Sequence, residues 1–266
     1  MASTIAARFH QGDLPQGYLL HDGALPLPTE RRLISVRPVE CPTTSPYRSS
    51  SYGRYRSGRR RSGIDPSASL RKRIFDIVVA GSALLFFLPL LIVIAIAIKA
   101  TSPGPVLFCQ KRYGYRNRAF RIYKFRSMRQ DAGDRAGVRQ TVRGDARVTA
   151  IGKIIRKTSL DEIPQLLNVI KGDMSLVGPR PHVPGMLAAE LLYEDLVPYY
   201  FQRHTARPGI TGLAQVSGCR GSTVEAGRAI SRIDYDLAYI ETWSLRMDIM
   251  ILVRTVRREF LSGSAF

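Results

Sequence analysis

Cysteine is scarce in this chain of 266 residues. Cys41, Cys109 and Cys219 lie far apart without CxxC spacing. Neither a disulfide framework nor a zinc site is expected, which fits a reducing cytosolic location. Histidine is as thin: His10, His21, His182 and His204 are dispersed, so a histidine-built metal site is not expected. Acids are in short supply, 21 against 40 Lys and Arg, leaving a net charge of +19. That balance calls for an anionic partner: nucleic acid, an anionic membrane surface or a phosphate-rich ligand. The first twenty residues hold no continuous apolar stretch and no small-residue cleavage site, so no secretory signal is expected there. Internal repeats are also missing.

What the chain does have divides into three regions. Residues 1–69 are rich in Pro, Ser, Gly and Arg and read as a mobile basic tail. Its "SPYRSSSYGRYRSGRRRSG" mixes cations with aromatic rings, a composition suited to RNA or to anionic headgroups, or simply to a solvated linker. Residues 70–100 contain the one long apolar run, with no charged residue from Ile77 to Ile98. It is long enough to cross a bilayer core and apolar all the way round. Two features argue against a straight span, which leaves the tail outside. Pro89 sits near the middle, where proline removes a backbone hydrogen bond and kinks a helix. Cations also flank both ends, Arg71, Lys72 and Arg73 before and Lys99 after, so both sides look cytoplasmic. A re-entrant helix-break-helix turning at Pro89, with Ser82 as a polar group to satisfy the break, resolves the conflict.

Residues 101–266 read as a compact cytosolic catalytic domain, mostly α with a small β-hairpin element. "PVLFCQKR" and "FRIYKFRS" are β-branched and aromatic and flank a polar turn containing Gly114. Residues 129–147 read as a loop or short helix. Val148, Ile151, Ile154 and Ile155 fall at helical spacing. A second helix is expected from Ser159. An amphipathic helix is expected over 185–202, on the membrane or in the domain core, and one or two helices at the C-terminus.

Candidate chemistry concentrates in "TSLDEIPQLLNVIKGDMSLVGPRP", residues 158–181. Ser159 and Glu162 have the spacing of a capping box, which is one explanation of the acids. The other is an active site. A carboxylate kept ionised at a helix start, Asp161, can be a nucleophile toward phosphorus or a ligand for a hard divalent cation. Arg156 and Lys157 stand close upstream. Pro179 and Pro181 fix the backbone around Arg180 and present its guanidinium at low entropic cost. Asp173 is a third acid, and Lys124 and Arg126 add cations. Together they have the makings of a pyrophosphate site.

"KRIFDIVVAG", "SPGPVLFCQKRYG", "RIYKFRSM", "RKTSLDEIPQLLNVIKGDMSLVGPRP" and "RPGITGLAQVSG" resemble the bacterial sugar transferases, the monotopic phosphoglycosyl transferases that begin exopolysaccharide, O-antigen and capsule assembly. The resemblance runs from about Arg71 onward, and the chain looks like the short form without an extra multi-span domain. It implies transfer of a sugar 1-phosphate from a UDP-sugar to polyprenyl (undecaprenyl) phosphate with release of UMP, using Mg²⁺, at the cytoplasmic face of the bacterial inner membrane. It implies that Asp161 attacks the β-phosphorus, that Glu162 assists the polyprenyl phosphate, that Arg156 holds phosphate and that Arg180 contacts the nucleotide diphosphate or uridine. It also implies a helix broken at the proline matching Pro89. Galactose and glucose lead among the sugars; self-association is left open. A nucleic-acid-binding membrane protein or a non-enzymatic scaffold of a polysaccharide assembly complex would fit the charge, but neither needs Asp161, and no nucleic acid is expected.

Overall fold

The computed structural model describes residues 65–129, 145–221 and 223–261. The tail reading falls outside them as far as Ile64, and so does most of the 129–147 loop.

The first element is α1 (Leu70–Thr101), capped by the Ser69 hydroxyl, which accepts from the Lys72 amide. It runs through Pro89 without interruption, so the expected helix-break-helix is one continuous helix. Proline still frees the carbonyl four residues back, at Leu85. Ser82 is not placed to satisfy it: the residue is exposed, and a helical serine reaches carbonyls on its own N-terminal side. The middle of α1 leaves Leu85, Phe86, Leu88 and Leu90 uncovered. Both ends pack on the same body of protein. Phe75, Val79 and Ala80 join Val169, Met174, Leu176 and Tyr239 in the main core. Ile94 and Ile98 pack with Phe125 and Ile155.

β1 (Leu107–Tyr113) and β2 (Ala119–Phe125) form the expected antiparallel hairpin, with Lys111 opposite Arg121. The left-handed turn residues are Arg116 and Asn117, not Gly114. Next comes α2 (Ala150–Lys157), where the Thr149 hydroxyl accepts from the Gly152 amide at 3.0 Å. Then α3 (Gln165–Lys171) stops at Gly172, whose φ of 98° is left-handed. β3 (Ser175–Val177) follows, then the short strands β4 (Leu187–Ala188) and β5 (Leu191–Leu192), α4 (Tyr193–Leu196) and a 3-10 segment, Tyr200–Thr205. β6 (Gly209–Thr211) pairs parallel with β3. α5 (Leu213–Val216), α6 (Ala226–Thr242) and α7 (Leu245–Leu261) complete the order.

The amphipathic helix expected over 185–202 is not formed. β4 and β5 make a tight antiparallel pair instead, with Ala189 and Glu190 both at positive φ. Tertiary partners override helix propensity here: the Ala189 amide donates to Thr223 O at 2.8 Å, and buried Tyr193 and Tyr200 pack against Ile233 and Leu237 of α6. The segment belongs to the domain core at those tyrosines. Cys109 is exposed and free, and Cys219 is buried.

The β3–β6 pair matters most for the site, because it ends at Val177 and leads into Gly178–Pro181. A Cβ on Gly209 would lie 2.1 Å from the Gly178 amide nitrogen, and one on Gly178 would lie 2.4 Å from Arg207 O. Only glycine at both positions lets the two chains approach this closely.

Candidate active site

Asp161 and Glu162 sit on a corner rather than in the first turn of a long helix. Ser159 is left-handed (φ 54°), breaks the chain after α2, and is followed by a single 3-10 turn, Leu160–Glu162. The capping-box reading fails: Ser159 caps nothing, and its hydroxyl donates to Glu259 Oε2 of α7 at 2.7 Å. The acids therefore need another reason to be adjacent.

Two cations converge on Glu162. Lys124 Nζ, from the end of β2, lies 2.7 Å from Oε1. Arg180 donates through Nη2 to Oε1 at 2.6 Å and through Nη1 to Oε2 at 3.2 Å, a bidentate pair. Despite the cost of burial, these cations hold the Glu162 carboxyl well below its usual range. Asp161 is moved the other way. It is only 9% exposed, and burial, reinforced by the neighbouring Glu162 charge, pushes its pKa up to about 6 against the pull of Lys124, Arg156 and Arg180. One carboxylate is thus fixed as an anion while its neighbour is made basic, the divergence expected of paired groups with different tasks.

Lys124, Arg156, Asp161, Glu162 and Arg180 come together as the sequence suggested. Arg126 does not join them. It follows the last residue of β2, so the period-two alternation that pairs it with Lys124 has ended. Its guanidinium is spent on the C-terminal end of α1, donating to Pro103 O at 2.6 Å and to Ser102 O at 2.7 Å. Asp173 pairs with Lys171 at 3.1 Å and stands apart from the dyad.

The Gly178–Pro181 turn is held by its carbonyls. Val177 O accepts from Lys72 Nζ and Tyr239 Oη, Pro179 O from the Gly209 amide, Arg180 O from Arg203 Nη2, and Pro181 O from Arg112 Nη1. Pro179 and Pro181 act here as rigid backbone, which leaves the Arg180 side chain 38% exposed on a fixed base.

Sequence reasoning missed Arg220 and Glu259. Arg220 pairs with Glu259, which binds Ser159 beside the dyad and contributes to the field at Arg180. Arg220 is thus a further cation at the rim. The one signal for it was local: left-handed Gly218 and Gly221 bracket it in "SGCRG", as in a loop built to present a side chain.

Among the described residues there is no group of three or more His, Cys, Asp or Glu able to hold a metal by themselves. Mg²⁺ does not require one. It binds through one or two carboxylates, water and substrate phosphate oxygens. With Glu162 occupied by Lys124 and Arg180, Asp161 is the carboxylate left for such an ion.

The family model for bacterial sugar transferases matches residues 67–262. The chain belongs to this family. An exopolysaccharide production protein, PSS, of Rhizobium leguminosarum bv. phaseoli is 53% identical over 195 residues, covering 73% of this chain and 98% of that protein. The undecaprenyl-phosphate glucose phosphotransferase of Komagataeibacter xylinus is 49% identical over 74% of this chain but only 37% of its own length. A UDP-glucose:undecaprenyl-phosphate glucose-1-phosphate transferase of Caulobacter vibrioides is 48% identical, covering 75% of this chain and 73% of that protein. In this sugar transferase the matched span contains α1, the dyad corner, the Gly178–Pro181 turn and the Arg220 loop.

Proposed function

We propose that this sugar transferase moves glucose 1-phosphate from UDP-glucose to undecaprenyl phosphate, releases UMP, and works through a covalent intermediate on Asp161. The observation that carries the proposal is the split between the two acids. A buried carboxylate with a pKa of about 6 is ionised at neutral pH yet more nucleophilic than an ordinary one. The relatives' names supply the donor and acceptor.

In the first step an Asp161 oxygen bonds to the β-phosphorus. The bond from that phosphorus to the bridging oxygen breaks, and UMP leaves with the electron pair. In the second, a phosphate oxygen of the lipid attacks the same phosphorus and the Asp161 carboxylate departs, leaving a lipid diphosphate sugar. Arg180, Lys124, Arg156 and Arg220 carry the phosphate charge. As the phosphoryl group carried on Asp161 draws Lys124 and Arg180 away, Glu162 regains basicity and takes the proton of the arriving lipid phosphate. Asp161 and the donor phosphates would hold Mg²⁺, which would supply further charge neutralisation.

Membrane attachment by the uncovered middle of α1, without crossing the bilayer and with the domain at the cytoplasmic face, is part of the same reading. The supporting observation is that both ends of α1 pack on one domain while its middle is uncovered. A helix crossing the bilayer would separate those ends by the ~30 Å core.

The test is UMP release by the purified protein in nanodiscs, with undecaprenyl phosphate, Mg²⁺ and a panel of UDP-sugars. Release with UDP-glucose, lost on chelation, is expected. Release with a different donor alone removes glucose from the proposal; no release with any donor removes the proposal itself. The pH profile is a second check. Only the ionised form of Asp161 attacks, so log kcat/KM should fall with unit slope below a pH of about 6 and level off above it. Glu162, held low, adds no break in that window. A profile flat down to pH 5 would exclude the raised nucleophile.

A further inference from the structure

The protein behind the site is rich in buried cations. Arg203 is 0% exposed and Arg232 7%. Guanidinium groups rarely go inside unless bound, and a buried ion pair adds little net stability over an apolar replacement. Arg203 has an acid partner, donating from Nε and Nη2 to Asp236 Oδ2 at 2.9 and 2.6 Å. Its Nη2 also donates to Arg180 O at 2.6 Å. Arg232 spends its fork on backbone: Nε donates to Cys219 O at 3.1 Å and Nη2 to Gly221 O at 3.0 Å. Those two carbonyls flank Arg220.

The two buried arginines thus address the main chain at Arg180 and on either side of Arg220, two half-buried arginines at the site. The Arg220 loop turns left-handed at Gly218 and Gly221 and borrows the Arg232 fork to fix its carbonyls. A lysine ammonium is a point donor and cannot span both acceptors in the same way.

We propose that Arg232 and Arg203 are positioning residues for donor binding, each fixing by the backbone one arginine that meets the diphosphate: Arg232 acts through Arg220 and Arg203 through Arg180. This rests on the reading that Arg180 and Arg220 hold the diphosphate of the donor. It extends that reading to residues that never touch the ligand.

A double-mutant cycle tests it on the full chain in nanodiscs, reading KM for UDP-glucose and kcat for UMP release, with thermal melting alongside. Arg232→Lys is expected to raise donor KM about tenfold with kcat within about twofold, because it loosens contacts made equally in ground and transition states. In an Arg220→Ala background the same change should add less than about twofold, since its route to the donor is gone. An equal KM increase in both backgrounds, a fall in kcat at unchanged KM, or no effect overturns the proposal. If Arg232→Lys does not fold, Arg203→Lys in a cycle with Arg180→Ala decides by the same criteria. If Arg220→Ala and Arg180→Ala leave donor KM untouched, the diphosphate reading itself fails and takes this inference with it, an outcome distinct from additivity.

Discussion

Asp161→Asn should lower UMP release by at least about a thousandfold and raise the melting temperature. Both effects follow from one environment. An amide cannot form the acyl phosphate, so the two-step route closes even though the cations that bind the donor remain. The stability gain comes from linkage. Asp161 binds its proton more tightly in the folded protein, with a pKa of about 6, than in the unfolded chain, near 4. Ionisation at neutral pH therefore weighs against folding. That penalty appears as pH rises above the unfolded value, grows until about 6 and is full beyond it. Asparagine has nearly the same shape and no charge, so it removes the penalty. The melting advantage of Asp161→Asn should be largest at pH 7–8 and vanish at pH 4. An inactive variant that melts lower at pH 7.5 would mean that the carboxylate is a net stabilising partner of Arg156 and Lys124, and the nucleophile would not be poised as argued. An active variant would remove Asp161 from the chemistry altogether.

The sequence showed this site better than it showed the fold around it. Lys124, Asp161, Glu162 and Arg180 could be grouped because opposite charges on fixed turns have few other places to go, and Lys124 and Arg180 meet Glu162 at hydrogen-bond distance. The β-hairpin, α2 and the C-terminal helices were legible because their periodicity is local. What was lost depends on long-range partners. Ser159 has every credential of a cap, yet Glu259, a hundred residues later, takes its hydroxyl. Residues 185–202 are amphipathic at helical spacing, but the carbonyl of Thr223 and the face of α6 draw them into a tight strand pair. The β3–β6 pair is too short for its pattern to stand out. Arg126 and Lys124 differ by two positions and look equivalent on paper; the strand ends between them. Arg203, Arg232 and Asp236 went unnoticed, since nothing local shows that their heads are inside.

Breaking the contact between α1 and the domain is the second change with a large expected effect. Lys72 is 4% exposed and Asp248 0%. Their Nζ–Oδ2 distance is 2.6 Å. Lys72 Nζ also donates to Val177 O at 3.1 Å, and Asp248 accepts from Tyr239 Oη at 2.8 Å and Trp243 Nε1 at 3.0 Å. One turn on, Asp76 accepts from the Ser175 hydroxyl and the Leu176 amide. The foot of the apolar helix is thus tied to β3 at the residue before the Gly178–Pro181 turn. Lys72→Met leaves Asp248 as an uncompensated buried charge, at a cost of about 3–5 kcal/mol. The apolar run is intact, so the variant should still fractionate with membranes while melting far below the parent and losing UMP release at 37 °C. Adding Asp248→Asn removes that charge and keeps one acceptor oxygen, for Trp243, with the amide N–H free to donate to Tyr239 Oη. The double variant should therefore melt well above Lys72→Met alone. If the second substitution restores stability but not UMP release, the Lys72 bond to Val177 O is what holds Arg180 in register. Recovery of both would reduce Lys72 to charge balance, and failure to recover either would show that the ammonium's own hydrogen bonds carry the joint between the helix and the domain.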